Sequence, residues 1–205
     1  MSEYASSAIG QAGNSSAAVE QAQEDSWVSK SQQGDALSFN RLVLKWEKPI
    51  FNLALRMLQD REEAVEAAQE IFLLAFKGIH RFRLDSRFST WLYRIAVNHC
   101  VTRNRQRPPG IRISLDEDEV EIHSVQQLTV AEPQAGELLR SEQRQRVMQA
   151  LSHLQAEQQA VIELKFFQEM TFEEIAETLG APLSTIKSRL YSGLEMLKAR
   201  LGNPD

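Results

Sequence analysis

A chain of 205 residues, 42% hydrophobic and 25% charged, is an ordinary globular polypeptide of one or two domains, with no apolar run approaching the length of a membrane helix. A single cysteine, Cys100, excludes an internal disulfide, and the histidines (His80, His99, His123, His153) lack metal-ligand spacing, so neither a metal nor a cofactor is expected. The net charge of −5 is unevenly spread, at −4 over residues 1–29, +6 over 30–107, −5 over 108–140 and −2 over 141–205. That distribution points to one basic surface for a polyanion in an otherwise acidic protein. The amino terminus has no basic segment followed by an apolar core, so no secretory signal is expected, and a reducing cytoplasm suits the lone thiol.

Residues 1–32 are rich in Ala, Ser, Gln and Gly without apolar periodicity, which predicts a disordered tail with at most a short helix near 17–23. Asp35 suits a helix N-cap, and Ala36, Phe39, Val43, Trp46 and Ile50 follow it at spacings of three and four. Pro49 falls inside this pattern, so a kink or restart is expected there before the helix ends near Leu58. Asp60, with Glu63 three places on, reads as a capping box. It opens a second helix whose inner stripe is Ala64, Ala68, Ile71, Phe72, Ala75 and Ile79. Residues 80–88 read as a loop, and Ser89 or Thr90 caps a third helix ending near Arg105, with Pro108-Pro109-Gly110 as its stop.

Residues 108–136 change character, with an acidic run at Asp116, Glu117, Asp118, Glu119 and Glu121 and a proline at 133. A connector of about this length inside one compact domain is rare, so it reads as a linker between two domains. Helices are expected over 137–151, 156–168, 172–179 and 184–201. The fold class is therefore all-α: two small helical domains, 33–107 and 137–205, joined by a flexible acidic linker.

The most informative punctuation lies near the carboxyl end. Thr171 and Glu174 form a capping box, Gly180 suits the left-handed residue after a helix, and Ser184 is placed to cap the next one. Two helices joined by a short glycine-containing turn describe a helix-turn-helix, whose second helix enters the DNA major groove by its amino-terminal end. That end offers Ser184, Thr185, Lys187, Ser188, Arg189 and Ser192, side chains suited to phosphates and base edges. In the first domain Phe82, Phe88, Trp91 and Tyr93 are interleaved with Arg81, Arg83, Arg87, Arg94, Arg103, Arg105 and Arg107. Aromatic faces for stacking and cations for the backbone are what unpaired bases require, and Asn98 could bond the edge of an extruded base. Each aromatic also has a packing role open to it, Phe88 above all.

These two stretches resemble one family. Ala68-Gln69-Glu70-Ile71-Phe72 followed by Phe88-Ser89-Thr90-Trp91-Leu92-Tyr93-Arg94-Ile95-Ala96-Val97-Asn98 is similar to region 2 of the extracytoplasmic-function sigma factors. Phe172-Glu173-Glu174-Ile175-Ala176 through Ser184-Thr185-Ile186-Lys187-Ser188-Arg189-Leu190 is similar to their region 4. The resemblance implies a subunit that binds core RNA polymerase through the outer face of the second helix: Glu66, Gln69, Glu70 and Leu73. It implies single-stranded −10 recognition by the loop Phe82, Arg83, Leu84, Asp85, Ser86, Arg87 and Phe88, with Trp91, Arg94 and Asn98. It implies double-stranded −35 recognition by Ser184, Thr185, Lys187, Ser188, Arg189 and Ser192. It also implies an anti-sigma inhibitor, no membrane insertion, and a linker whose carboxylates Asp116–Glu121 imitate RNA phosphates in the polymerase cleft.

Three departures from the family pattern stand out. Glu63-Ala64-Val65-Glu66-Ala67-Ala68 replaces an aspartate-rich run, and Ser192-Gly193 replaces a basic residue and alanine, so weaker −35 contacts are expected. The amino-terminal tail has no assigned counterpart. No glycine-rich phosphate loop or activated nucleophile points to an enzyme. The rival reading is a dimeric helix-turn-helix regulator that works without polymerase, which leaves the Phe/Trp/Arg loop and the acidic connector without a role.

Overall fold

A computed structural model of the protein describes residues 7–106 and 136–202, and among these every regular element is helical. The acidic linker run lies outside the described residues. Helix α1 spans Ser7–Gln32, so the stretch expected to be a disordered tail is a helix from residue 7 onward. Its weak apolar pattern hides a few anchors: Val28 is fully buried, and Glu24 pairs with Lys45 and accepts from Trp46 Nε1 at 3.1 Å. A helix with little amphipathicity owes its stability to such tertiary contacts, which local periodicity does not register.

Helix α2 (Ala36–Leu58) starts where expected, with the Asp35 carboxylate accepting from the Leu37 amide at 3.0 Å. It runs through Pro49 without the expected restart. Leu42, Leu53, Leu55, Met57 and Leu58 are buried along it, whereas Ala36 is exposed and Val43 and Trp46 are half-buried. The apolar face is thus wider than the sequence stripe, because α2 is packed by α1, α3 and α4 together. Helix α3 (Arg61–Gly78) is capped by Asp60, whose carboxylate accepts from the Glu63 amide at 2.9 Å. It buries Ala64, Ala67, Ile71 and Ala75, with Ala68 and Phe72 at the margin. A 3-10 turn, Ile79–Arg81, and a loop lead to α4, Phe88–Gln106, which begins one residue before the expected cap.

The second domain comprises α5 (Gly136–Ser152), α6 (Ala156–Ile162), α7 (Phe172–Leu179) and α8 (Leu183–Leu201). The helix expected over 156–168 stops early and passes into a π-helical turn, Glu163–Phe167, followed by Glu169 at φ 53°. Thr171 and Glu174 close the expected capping box, with the Glu174 amide donating to Thr171 Oγ1 at 3.2 Å and the Thr171 amide donating to the Glu174 carboxylate at 2.8 Å. Gly180 takes the left-handed conformation at φ 59°, which costs an L side chain about 1–2 kcal/mol and glycine nothing. Helix α8 begins one residue before the Ser184 expected to cap it; Pro182 sits at its N-cap without a side-chain bond.

The apolar core does not stop between the domains. Buried residues from α1–α4 and from α5–α8 form one cluster, with α6 and α7 laid against α4 and α5 and α6 against α2.

Candidate nucleic-acid interface

The loop after the 3-10 turn is built on an aromatic floor. Phe82 and Phe88, at its two ends, are 6% and 2% exposed, and both pack on Trp91 of α4 with ring centres 5.1 and 5.6 Å away. The family resemblance implied both phenylalanines at the DNA, while the residues alone favoured packing for Phe88; both are buried and hold the ends of the loop together. Between them Arg83, Leu84, Asp85 and Arg87 are exposed and Ser86 is half-buried. Helix α1 braces the entry to this loop. Gln32 Nε2 donates to the carbonyls of Ile79 and Phe82 at 3.0 and 2.7 Å, and the Gln32 carbonyl lies 2.9 Å from His80 Nδ1. No local pattern could have singled out Gln32, because its partners are 47 and 50 residues away. Gln32→Ala should cost about 1–2 kcal/mol, the usual worth of two neutral hydrogen bonds. Urea unfolding would measure that cost, and hydrogen exchange should show faster opening over residues 79–88 than over α3.

Above the floor lies a cavity of about 280 Å3 rimmed by Arg81, Arg83 and Arg94, with Asp85, Ser86, Thr90 and Trp91 also lining it. Arg81, Thr90 and, from α7, Glu177 and Thr178 join the expected set, while Leu84, Arg87, Phe88 and Asn98 are absent from the lining. Asn98 is exposed one turn beyond Arg94, and its carbonyl accepts from Thr102. Three guanidinium groups at the mouth of an aromatic-floored cavity suit an anionic backbone with a flat base.

The outer face of α3 carries Glu66, Gln69, Glu70 and Leu73, all exposed as expected. One of its carboxylates is held by α4, Glu66 accepting from Arg103 Nη2 at 2.9 Å, and Glu70 lies 3.0 Å from His99 Nε2 without a hydrogen bond. Burial holds the His99 ring below the usual histidine range, against the opposing pull of Glu70. Leu73, Leu74, Phe76 and Val65 are 58%, 46%, 48% and 43% exposed, so this helix presents apolar surface that the fold does not use. Sequence reasoning found only Leu73 of these four. The signal for the others was present as excess apolar residues outside the buried stripe.

On α8, Ile186 and Leu190 are buried, which leaves Ser184, Lys187, Ser188 and Ser192 exposed and Thr185 and Arg189 half-buried. The Ser192 hydroxyl accepts from Gln158 Nε2 at 2.9 Å and donates to the Arg189 carbonyl at 3.2 Å, so it serves the packing of α8 on α6. Gly193 has the same origin. A Cβ there would stand 2.9 Å from Ile162 Cδ1 and 3.5 Å from Gln158 Cβ, so glycine lets the two helices approach. That close packing offsets the roughly 1 kcal/mol that glycine costs a helix.

Two family descriptions match the chain, Sigma-70 region 2 over residues 42–108 and Sigma-70, region 4 over residues 144–197. The RNA polymerase sigma-H factor of Pseudomonas aeruginosa is 34% identical over 185 residues, covering 88% of this chain and 95% of that protein. The ECF RNA polymerase sigma-E factor of Haemophilus influenzae is 32% identical over 186 residues, covering 89% and 97%. The chain belongs to the extracytoplasmic-function sigma factors. Sigma SigW of Bacillus subtilis, also an ECF RNA polymerase sigma factor, is 31% identical over 176 residues, covering 85% of this chain and 94% of its own.

Solved structures place the fold in the same group. CnrH, in complex with the cytosolic domain of CnrY, has a TM-score of 0.64 at 19% identity, covering 88% of this sigma factor and 97% of that chain. RpoE of Bartonella quintana, in a complex with the anti-sigma factor NepR, has a TM-score of 0.60 at 21% identity, covering 82% and 98%. Sigma factors are transcription subunits rather than enzymes. Among the described residues, no helix is long and apolar enough to cross a membrane.

Proposed function

We propose that this sigma factor binds core RNA polymerase in the cytoplasm, reads the −10 and −35 elements of its promoters and captures an unpaired −10 base to open the strands. The observation that carries this reading is the arginine-rimmed cavity lined by Phe82 and Trp91, in one chain with a helix-turn-helix. Arg81, Arg83 and Arg94 pair with the strand backbone, and Trp91 and Thr90 face the base. Unstacking a base costs a few kcal/mol, which stacking and polymerase contacts offset without chemistry from this chain. Asn98 acts at the edge of this site rather than inside it.

Region 4 places Thr185, Lys187, Ser188 and Arg189 in the −35 major groove, with Ser184 at the helix start. Ser192 contributes less, because its hydroxyl is already bonded to Gln158. The exposed apolar face of α3, with Gln69 and Leu73 at its centre, meets polymerase; unpartnered apolar surface of this kind marks a docking face. An anti-sigma protein is a further partner, by analogy with the Bartonella RpoE complex.

Fluorescence titration of the purified chain against core polymerase without DNA tests the reading. Saturable binding, with weak binding to DNA alone, is the expected result. Leu73→Asp, an exposed position on α3, should weaken that binding at least tenfold without changing thermal stability. Absent polymerase binding, with specific duplex binding by the free protein, would overturn the sigma assignment.

A further inference from the structure

Helix α1 ends against the turn that carries Arg81. Its position along α2 is fixed by the carboxylate of Glu24, 3% exposed, which pairs with Lys45 and accepts from Trp46, and by the fully buried Val28. A tight turn then leads into α2. The Asp35 amide donates to the Lys30 carbonyl at 3.1 Å, and Gly34 adopts φ 92°, the left-handed region that favours glycine. Gln32, the last residue of α1, is therefore held at one height beside the 3-10 turn. Its side-chain amide spends both donors there, on the Ile79 carbonyl at 3.0 Å and the Phe82 carbonyl at 2.7 Å.

We propose that Gln32 is a positioning residue for reading the −10 strand: its two hydrogen bonds set the peptide plane from which Arg83 leaves the 3-10 turn, and so the placement of Arg81 and Arg83 at the mouth of the cavity. The proposal rests on the reading of that cavity as the −10 site. The Phe82 carbonyl belongs to the peptide joining Phe82 to Arg83, which rotates as one rigid unit. Phe82 has already left the helical region, at φ −66° and ψ 126°, so that peptide is outside the turn's own hydrogen bonding. Ring contacts with Phe88 and Trp91 hold the Phe82 side chain, and Gln32 stops the peptide beyond it from turning. The Ile79 carbonyl also accepts from the Phe82 amide at 3.1 Å, so one side chain clamps both ends of the turn that carries Arg81. Arg83, Leu84 and Asp85 are exposed, which leaves the direction of the loop to be set at its ends.

The two kinds of DNA contact respond differently to a loosened loop. A guanidinium attracts a phosphate from many directions, so most of the backbone affinity survives. Choosing one base over another needs fixed distances, so the loss falls on base preference.

The test uses the full chain bound to core polymerase and a pool of single strands randomised over about ten nucleotides, within the usual span of a single-strand site. Bound and free strands are sequenced, and preference is read as the ratio of the most to the least enriched base at the strongest position. The ratio is taken among bound complexes only, so a smaller folded fraction does not change it. Gln32→Ala should lower the ratio about fivefold, the scale of one neutral hydrogen bond, while total binding of the pool falls by about twofold or less. Gln32→Met keeps the length and helix propensity of the side chain without its donors, and should lower the ratio equally. Full preference in both variants overturns the proposal. Preference restored by methionine assigns the effect to packing and overturns it as well. Core-polymerase affinity, titrated alongside, should be unchanged in both variants; a parallel loss would make Gln32 a general stabiliser of region 2 and overturn its positioning role. A parent complex that enriches no base refutes the −10 reading itself, and the proposal with it.

Discussion

Glu163→Ala should destabilise the chain by about 3–5 kcal/mol, the usual cost of leaving one member of a buried ion pair alone, because Arg56 and Glu163, each 2% exposed, are joined by two hydrogen bonds at 2.7 and 2.6 Å. Arg56 would keep its burial and its Phe167 contact but lose both carboxylate bonds, and Nη1 already lacks a partner. Gln168 would lose an acceptor as well, since its Nε2 donates to Glu163 Oε1 at 3.0 Å. Urea unfolding followed by circular dichroism measures the change. Because separating the domains lets Arg56 reach water, the variant should unfold in two steps where the parent shows one. Replacing both partners together, Arg56→Met with Glu163→Leu, should be neutral or stabilising, because no charge is then left in the core. A double variant as unstable as Glu163→Ala would mean that shape, not charge, dominates this contact.

Phe88→Ala should cost about 3–5 kcal/mol, the range for truncating a buried aromatic ring. Phe88 is 2% exposed and touches both Phe82 and Trp91, so the cavity it leaves is bounded by rings that cannot easily fill it. For a chain of this size the midpoint of thermal unfolding should fall by roughly 6–20 °C. Arg83→Ala, an exposed change on the same loop, should move stability by less than about 0.5 kcal/mol. Equal losses from both variants would remove the distinction between loop ends that belong to the core and a loop body that faces DNA.

Sequence alone determined the parts of this protein that depend on neighbours within a few residues. Asp35, Asp60 and the Thr171–Glu174 box set helix starts, because capping is a contact between residues two or three apart. Gly180 marked the helix-turn-helix turn for the same reason, and the two motif stretches, met in order, carried the family. Exposure of Glu66, Gln69, Glu70 and Leu73 followed from helical periodicity.

What only the tertiary structure decided depends on residues far apart in the chain. Helix α1 looked like a polar tail because its support, at Lys45 and Trp46, lies about twenty residues on. The side of Phe82 and Phe88 was undecidable from composition, since an aromatic ring serves stacking and packing equally well until its neighbours are known. Gly193 looked like a helix defect until α6 was found against it. The helix expected to continue to residue 168 instead turns at Glu163, where the wider turn carries the carboxylate onto Arg56, 107 residues away. Burial joins these cases: it is a property of the whole packed chain, and local spacing records it only where one face of one helix meets one partner.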